Sequence, residues 1–470
     1  MKTQPQEQAS SSPSLHHSAK GRVATVPKRL LRITVPFALA AGLCASAALA
    51  WDDDNDHQGS GAVKLLTTIP VPPVKANTSG VLKTFDISWV DANTRRYFLA
   101  DRSNQAIDVI NTQTNKVVDQ IPANPPFAGA SGNNNTSGPN GVTVSGRWLF
   151  ASDCGKSSAT TCGTGGRVVT IDLSNGKTVS DVSTGGKARA DEIAYDPHDG
   201  ILIAINNADD PPFATLISVN KSTGALTVGK SIIFDQSHAG FDATNGAEQP
   251  VWDAGTGKFY LSIPEVNCPP ADTRCGGGFP DGAVVRIDPH STGAVEALYP
   301  VKFCQPAGLT LGPNQDLLVG CSQAFDTAGN AWSLANPLTA SPPAVTAAPV
   351  SIIIDAKNGS IDKTVKGVSG NDEVWFNAGD GRYYLAARNQ PGGPVLGVID
   401  AKSQKLLQLV PTVNQASTPK ASPQAGSAHS VAADLHNNHV FVPLPTNNVF
   451  PNCLTGCVAV FGVPKQKHDD

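Results

Sequence analysis

Acidic residues recur in polar pairs ahead of short apolar stretches: Asp191-Glu192 before IAYD, Glu248-Gln249 before PVWD and Asp372-Glu373 before VWFN. Asp86, Asn140 and His429 open comparable stretches. Carboxylate and amide oxygens gathered in one place suit a hard divalent cation, Ca2+ or Mg2+, which asks for about six or more oxygen ligands. Without a cation, the same cluster must raise its carboxyl pKa values or hold water in an open channel. Arg102, Arg189 and Arg388 lie in or beside the neighbouring connections. They could neutralise the acids instead, which would favour an organic anion as ligand. His429 is the only histidine at such a position. Beside a bound cation it would serve as a general base for ester or lactone hydrolysis; the plainer reading is a hydrogen-bonded structural residue.

A repeat must position these residues. The stretch FDISWVDANTRRYFLADRSNQAIDVINTQTNKVVDQI, residues 85–121, reads as four strands joined by turns, with the two-residue alternation of half-buried strands in AIDVIN and KVVDQI. Comparable units begin at Pro139, Asp191, Glu248, Pro306, Asp372 and His429, so that seven starts fall 52 to 66 residues apart. The seventh unit lacks a fourth strand, and AVKLLTTIPV, residues 62–71, resembles the fourth strands KVVDQI and KLLQLVP. A first strand that completes the last unit closes a ring, and radial repetition of four-stranded sheets leaves only short, protected edges. The sequence therefore predicts an all-β fold, a seven-bladed β-propeller over residues 62–463. A pair of sandwiches or an open solenoid would explain neither the count nor the spare strand.

In such a ring, connections from strand four to the next strand one, and from strand two to strand three, share one face. The long insertions are all of these kinds: residues 122–138, 154–166, 208–213, 264–282, 323–349, 411–428 and 446–456. Turns of the opposite face are short, as in DANTRR, DPHDG and DAKNG. Long loops over a rigid scaffold are where binding sits, although lengthening a loop also costs little. Aligning the unit starts sets Glu192 against Asp86, Asn140, Gln249, Ala307, Glu373 and Ser430. It sets Asp191 against Phe85, Pro139, Glu248, Pro306, Asp372 and His429. The mouth of the ring thus collects Asp86, Asn140, Asp191, Glu192, Glu248, Gln249, Asp372, Glu373 and His429. Adjacent strand residues point to opposite sides, so one of each pair faces the axis; spacing alone does not say which.

The stretch YFLADRSNQAIDVINTQTNKVV, Tyr97 to Val118, resembles the YVTN-repeat propellers, with FLAD, LFAS and YLAA standing where the tetrapeptide would be. The chain more distantly resembles the SMP-30/gluconolactonase-like propellers. The likeness implies the propeller fold. From the second family it implies a divalent ion, Ca2+ or another, in the central channel, with Asp86, Asn140, Glu192 and Glu373 as its ligands and a lactonase or esterase activity. Beside that reading stands non-catalytic binding of a small molecule, a cation or a protein on the loop-rich face.

The remaining features bear on compartment. Residues 1–27 are polar, and KRLLRITVPFALAAGLCASAALA, Lys28 to Ala50, has the basic start, apolar stretch and small-x-small end of a secretory signal cleaved after Ala50. Left uncleaved, its apolar run is nearly long enough to span a bilayer. Residues 51–61 read as a flexible acidic linker and 464–470 as a tail. Six of the 35 basic and one of the 39 acidic residues lie within residues 1–50, leaving 29 against 38, a net charge of −9. That balance disfavours nucleic acid and anionic membrane surfaces. A periplasmic or secreted monomer without a membrane span after signal cleavage is expected. Apart from Cys44, the cysteines fall as close pairs, Cys154/Cys162, Cys268/Cys275, Cys304/Cys321 and Cys453/Cys457. In an exported chain these read as disulfides, and zinc-finger spacing is lacking. Each would close a short local loop, and pinning that loop is its expected role. No CxxCH, P-loop, HExxH or GxSxG motif occurs. Trp89, Trp252 and Trp375 recur within first strands and read as packing residues.

Overall fold

The computed structural model describes residues 61–155, 162–290, 295–332, 349–413 and 428–464. The expected signal segment, residues 51–60, the tail from 465 and parts of three long insertions lie outside the described residues. Seven four-stranded antiparallel sheets form the ring, each with its strands in sequence order except the last. Blade 1 comprises Ser88–Asp91, Arg96–Asp101, Ala106–Asn111 and Lys116–Ile121. Blade 7 is ordered Ala432–Asp434, His439–Leu444, Cys457–Gly462 and then Lys64–Pro70. The N-terminal strand runs antiparallel to its partner, Lys64 opposite Gly462 and Pro70 opposite Cys457. The spare strand therefore closes the ring. Among the described residues no helix is long and apolar enough to cross a membrane.

Burial explains the strand sequences. Second and third strands have neighbouring blades on both faces, and RYFLAD and AIDVIN are accordingly buried almost throughout. Fourth strands form the outer rim, and KTVSDVS alternates exposed and half-buried positions. The core lies between blades: Ile203 and Ile205 pack with Phe259 and Leu261, and Tyr260 packs with Leu317 and Val319. Trp89 and Trp375 occupy equivalent positions on blades 1 and 6 and meet edge to face at 5.2 Å. Trp252 packs on Phe259 at 4.8 Å. The short turns begin with an Asp whose carboxylate accepts backbone N–H groups, as Asp253 does from Gly255 at 2.8 Å.

All four cysteine pairs are disulfides: Cys154–Cys162, Cys268–Cys275, Cys304–Cys321 and Cys453–Cys457. Cys304–Cys321 ties the first two strands of blade 5; the others pin loops of the elaborated face. The Cys154–Cys162 bridge also touches a second connection, through Cys162. Its Sγ lies 3.3 Å from the carbonyl oxygen of Asn135, in the connection that leads from blade 1 into blade 2. A disulfide sulfur has no hydrogen to donate, so this is packing contact and not a hydrogen bond. Cys162 is buried there, and residues 156–161 between it and Cys154 lie outside the described residues. The bridge therefore anchors a second connection as well as its own. Spacing gave no sign of this, because it reports neighbours along the chain and not across it. Beside Cys268–Cys275, the fully buried Glu265 accepts hydrogen bonds from the backbone of Gly276, Gly277 and Phe279 and from Gln305 Nε2, at 2.7 to 2.9 Å. That carboxylate organises its loop from within.

Ring closure through the first strand can be tested at Ile69, which is buried in the cluster shared by blades 7 and 1. Ile69→Asp places an unpaired charge there and removes apolar contact. We expect a loss of about 3 kcal/mol or more in urea unfolding.

Candidate functional site

Hydrogen bonds to the second strand fix the register at the ring mouth. Asp86, Asn140, Asp191, Glu248 and Asp372 donate their backbone N–H to the carbonyls of Ala100, Ser152, Ile205, Ser262 and Ala386. The following residues, Ile87, Gly141, Glu192, Gln249 and Glu373, accept the return bonds from those same five residues. Lateral bonds extend the assignment. The carbonyls of Asn140, Asp191, Ala307 and His429 accept the N–H of Ile87, Gly141, Gln249 and Glu373 on the preceding blade. The equivalent ring positions are therefore Asp86, Asn140, Asp191, Glu248, Ala307, Asp372 and His429. Setting Glu192 against Asp86, Asn140 and Ala307 is one residue out in blades 1, 2 and 5. There a single polar or small residue follows Phe85, Pro139 or Pro306, so nothing in the local pattern resists a one-residue slip. A signal was present: Gly141 and Gly308 stand where the next blade comes too close for a side chain. A Cβ on Gly141 would lie 2.6 Å from the Asp191 carbonyl oxygen, and one on Gly308 would overlap that of Asp372.

The position after the ring residue staples blades together. Gln249 Oε1 accepts the Leu309 N–H at 2.7 Å, and Glu373 Oε2 accepts the Val431 N–H at 3.4 Å. For Glu192 the corresponding residue of the next blade is Pro250, which has no N–H to give. Glu192 is 6 % exposed and faces the central cavity instead.

That cavity, about 340 Å³, opens on the loop-rich face. It is lined by Asp86, Asp191, Glu192, Glu248, Asp372, Arg102, Arg189, Arg388 and His429, and by Asn134, Asn135, Asn207 and Asn245 from the connections. Arg102 pairs with Asp86 and donates to Asn140 Oδ1 through Nη2 and Nε, at 2.7 and 3.1 Å. Its Nη1 donates to Asn134 Oδ1 at 2.7 Å. Asn134 opens a single 3-10 turn capped by Asn133. Arg189 bridges Asp191 and Asp86, the latter at 3.2 Å. Arg388 pairs with Asp372 at 2.8 Å. His429 Nε2 lies 3.1 Å from Asp86 Oδ1, and its ring stacks on Phe85 at 5.0 Å. Asn140 Nδ2 donates to the Ala190 carbonyl at 2.7 Å.

The carboxyls divide into two populations. Burial pushes Asp86 upward, but Arg102, the His429 hydrogen bond and Arg189 together outweigh it and hold the group well below the usual range. Burial raises Asp191 to about 6 despite Arg189. Burial, then the charges of Glu373 and Asp191, pushes Glu192 well up. Glu248 is pushed well up by burial and by Asp191, and Glu373 by burial above all.

The four residues implied as ligands of a divalent ion do not assemble a cation shell. The oxygens of Asp86 and Asn140 already accept from guanidinium groups, and Glu373 accepts from Val431. Among the described residues, the one trio of His, Cys, Asp or Glu with ligand atoms all within 4.8 Å is Asp196, Asp199 and His290, on the opposite face. Three of the four implied ligands are thus engaged by donors of the protein itself. Sequence reasoning missed the four loop asparagines, because Asn-rich connections read simply as turns.

No family model and no curated protein matches the chain. Among solved structures, a chain of Kuenenia stuttgartiensis hydrazine synthase is similar, with a TM-score of 0.55 at 12 % identity, covering 81 % of this chain and 95 % of that one. At that identity the likeness shows the propeller fold alone.

Two outcomes follow from the electrostatics. Carboxyls whose folded pKa is raised stabilise the protein at low pH. That stability is lost as pH rises from the unfolded value near 4, through about 6 for Asp191, and the raised Glu192 adds to the loss. Asp86 acts oppositely, and its contribution is lost only as pH falls below about 4, toward its depressed pKa. Melting temperature is therefore expected to decline from pH ~5 to ~8, and Glu192→Gln to flatten that decline. Arg102→Leu leaves Asp86 and Asn140 without their main donor and should cost about 3–5 kcal/mol in chemical denaturation.

Proposed function

We propose that the chain is an exported propeller that binds a small cationic amine in the central cavity of its loop-rich face. The observation that carries this reading is Glu192, a buried carboxyl facing the cavity whose structural donor is replaced by Pro250. Charge count supports it. Five acidic residues, Asp86, Asp191, Glu192, Glu248 and Asp372, line the cavity against three arginines, each already engaged by a carboxylate. Among the described residues no arginine forms an ion pair with Glu192 or Glu248, and an ammonium group between them would favour the ionised form of both. An anionic ligand would have to break existing arginine pairs. The disulfides support an oxidising compartment, and the YVTN-like repeat supports a scaffold that carries its site on loops.

The His429–Asp86 hydrogen bond favours a second reading, a hydrolase of lactonase or esterase type in which Asp86 orients His429 as base. Ester turnover abolished by His429→Ala, with amine binding retained, would establish it.

Calorimetric titration with mono- and diamines, set against sugars and carboxylic acids, tests the binding proposal. Amines should bind with proton release, so that the observed heat varies linearly with buffer ionisation enthalpy, and Glu192→Gln should weaken binding at least about tenfold. Preference for carboxylic acids, or amine binding indifferent to Glu192→Gln, would overturn it.

A further inference from the structure

The face opposite the cavity carries a departure from the repeat. In the turn between first and second strands, the leading Asp normally has both carboxylate oxygens occupied. Asp91 accepts from Asn93 N–H at 3.2 Å and from Thr94 Oγ1 at 2.5 Å. Asp253 accepts from Gly255 N–H at 2.8 Å, from Thr256 Oγ1 at 2.7 Å and from Gln315 Nε2 at 3.4 Å. Asp434 accepts from His436 N–H at 2.9 Å and from Arg95 Nε at 3.0 Å. Two devices supply the second oxygen: a threonine three residues on, or the last turn residue of the next blade reaching back.

Blade 3 has neither. At the threonine position stands Asp199, which has no hydroxyl to donate, and the reach-back position of blade 4 is Gly257. Asp196 Oδ1 accepts the N–H of His198 and Asp199, at 2.8 and 3.3 Å, while Oδ2 is buried with no partner. Asp196 itself is 0 % exposed. Into this gap comes His290, from the turn between the third and fourth strands of blade 4, with Nε2 2.9 Å from Asp199 Oδ2. One ligand atom from each of Asp196, Asp199 and His290 lies within 4.8 Å of the other two. A histidine–carboxylate pair alone would leave the buried Asp196 oxygen unsatisfied, a costly arrangement.

We propose that Asp196, Asp199 and His290 bind a divalent transition-metal ion of the Zn2+ type, clamping blade 3 to blade 4. One imidazole nitrogen and two carboxylate oxygens are ligands such an ion accepts, and at Zn–N and Zn–O distances of about 2.0–2.2 Å tetrahedral ligand atoms stand roughly 3.3 Å apart. A nitrogen ligand and so few oxygens disfavour Ca2+. Asp199 and His290 are half-exposed, so the ion has an entry path and an open position for water.

Titration of Zn2+ into the full chain, followed by calorimetry and by melting, tests the clamp. One equivalent should bind that Ca2+ does not displace, and it should raise the melting temperature. His290→Ala should weaken that equivalent at least about tenfold, since even removing a group that only supports a ligand costs that much. Asp199→Thr restores the residue that completes the turn in blades 1 and 4, so it should fold well and lose the same equivalent. His429→Ala, in the cavity, should leave it intact. Isotherms that superimpose for wild type, His290→Ala and Asp199→Thr, with or without binding elsewhere, would overturn the proposal.

Discussion

Lateral hydrogen bonds between the first residues of neighbouring innermost strands set the geometry on which everything at the mouth depends. Ile87 to Asn140, Gly141 to Asp191, Gln249 to Ala307 and Glu373 to His429 are the same bond made four times. Each brings backbones of adjacent blades into contact, which side chains alone would not do. One consequence is steric: Gly141 and Gly308 must be glycine. The other is electrostatic. Polar residues at equivalent positions are forced together around one axis whatever their charges, and the chain must then manage the repulsion.

It does so in two ways that coexist within one ring. Around Asp86, two guanidinium groups and an imidazole hold a carboxylate ionised. Around Glu192 and Glu248, burial and like charge favour the neutral acid. A mouth with both kinds of carboxyl offers fixed charge on one side and exchangeable protons on the other. The difference arises from where the cations lie: Arg102, Arg189 and His429 converge on Asp86, whereas burial and neighbouring carboxyls dominate at Glu192.

The architecture was legible in the sequence because propeller strands are short, regular and separated by turns with their own chemistry. The count of blades, the closing strand, the cysteine pairing and the face bearing the insertions all came from spacing. Register was less legible. A strand pattern survives a one-residue shift when only one polar residue marks the start, as at Asp86 and Asn140, and that slip changed which residues share a ring. Partner choice was legible only in part: Arg102, Arg189 and Arg388 stood out as possible partners of the acids, but not which acid each would meet. Nothing in the spacing says that Arg102 lies on Asp86 and Asn140, so a cation and the arginines stood as alternatives until the pairs themselves were seen. Nor does it say that Cys162 rests against Asn135, which puts a disulfide behind the cavity wall.

Ring closure by the first strand carries a consequence for the order of folding. Lys64 finds its partner only at Gly462, so six blades can pair their strands as they emerge while the seventh waits for the far end of the chain. Until then the outer edge of Cys457–Gly462 and the whole of Lys64–Pro70 are unpaired, the kind of edge that invites association between chains. The most sequence-distant strand pairing is thus the one that closes the ring, and the seam at blade 7 is where an unclosed chain would expose strand edges to other chains.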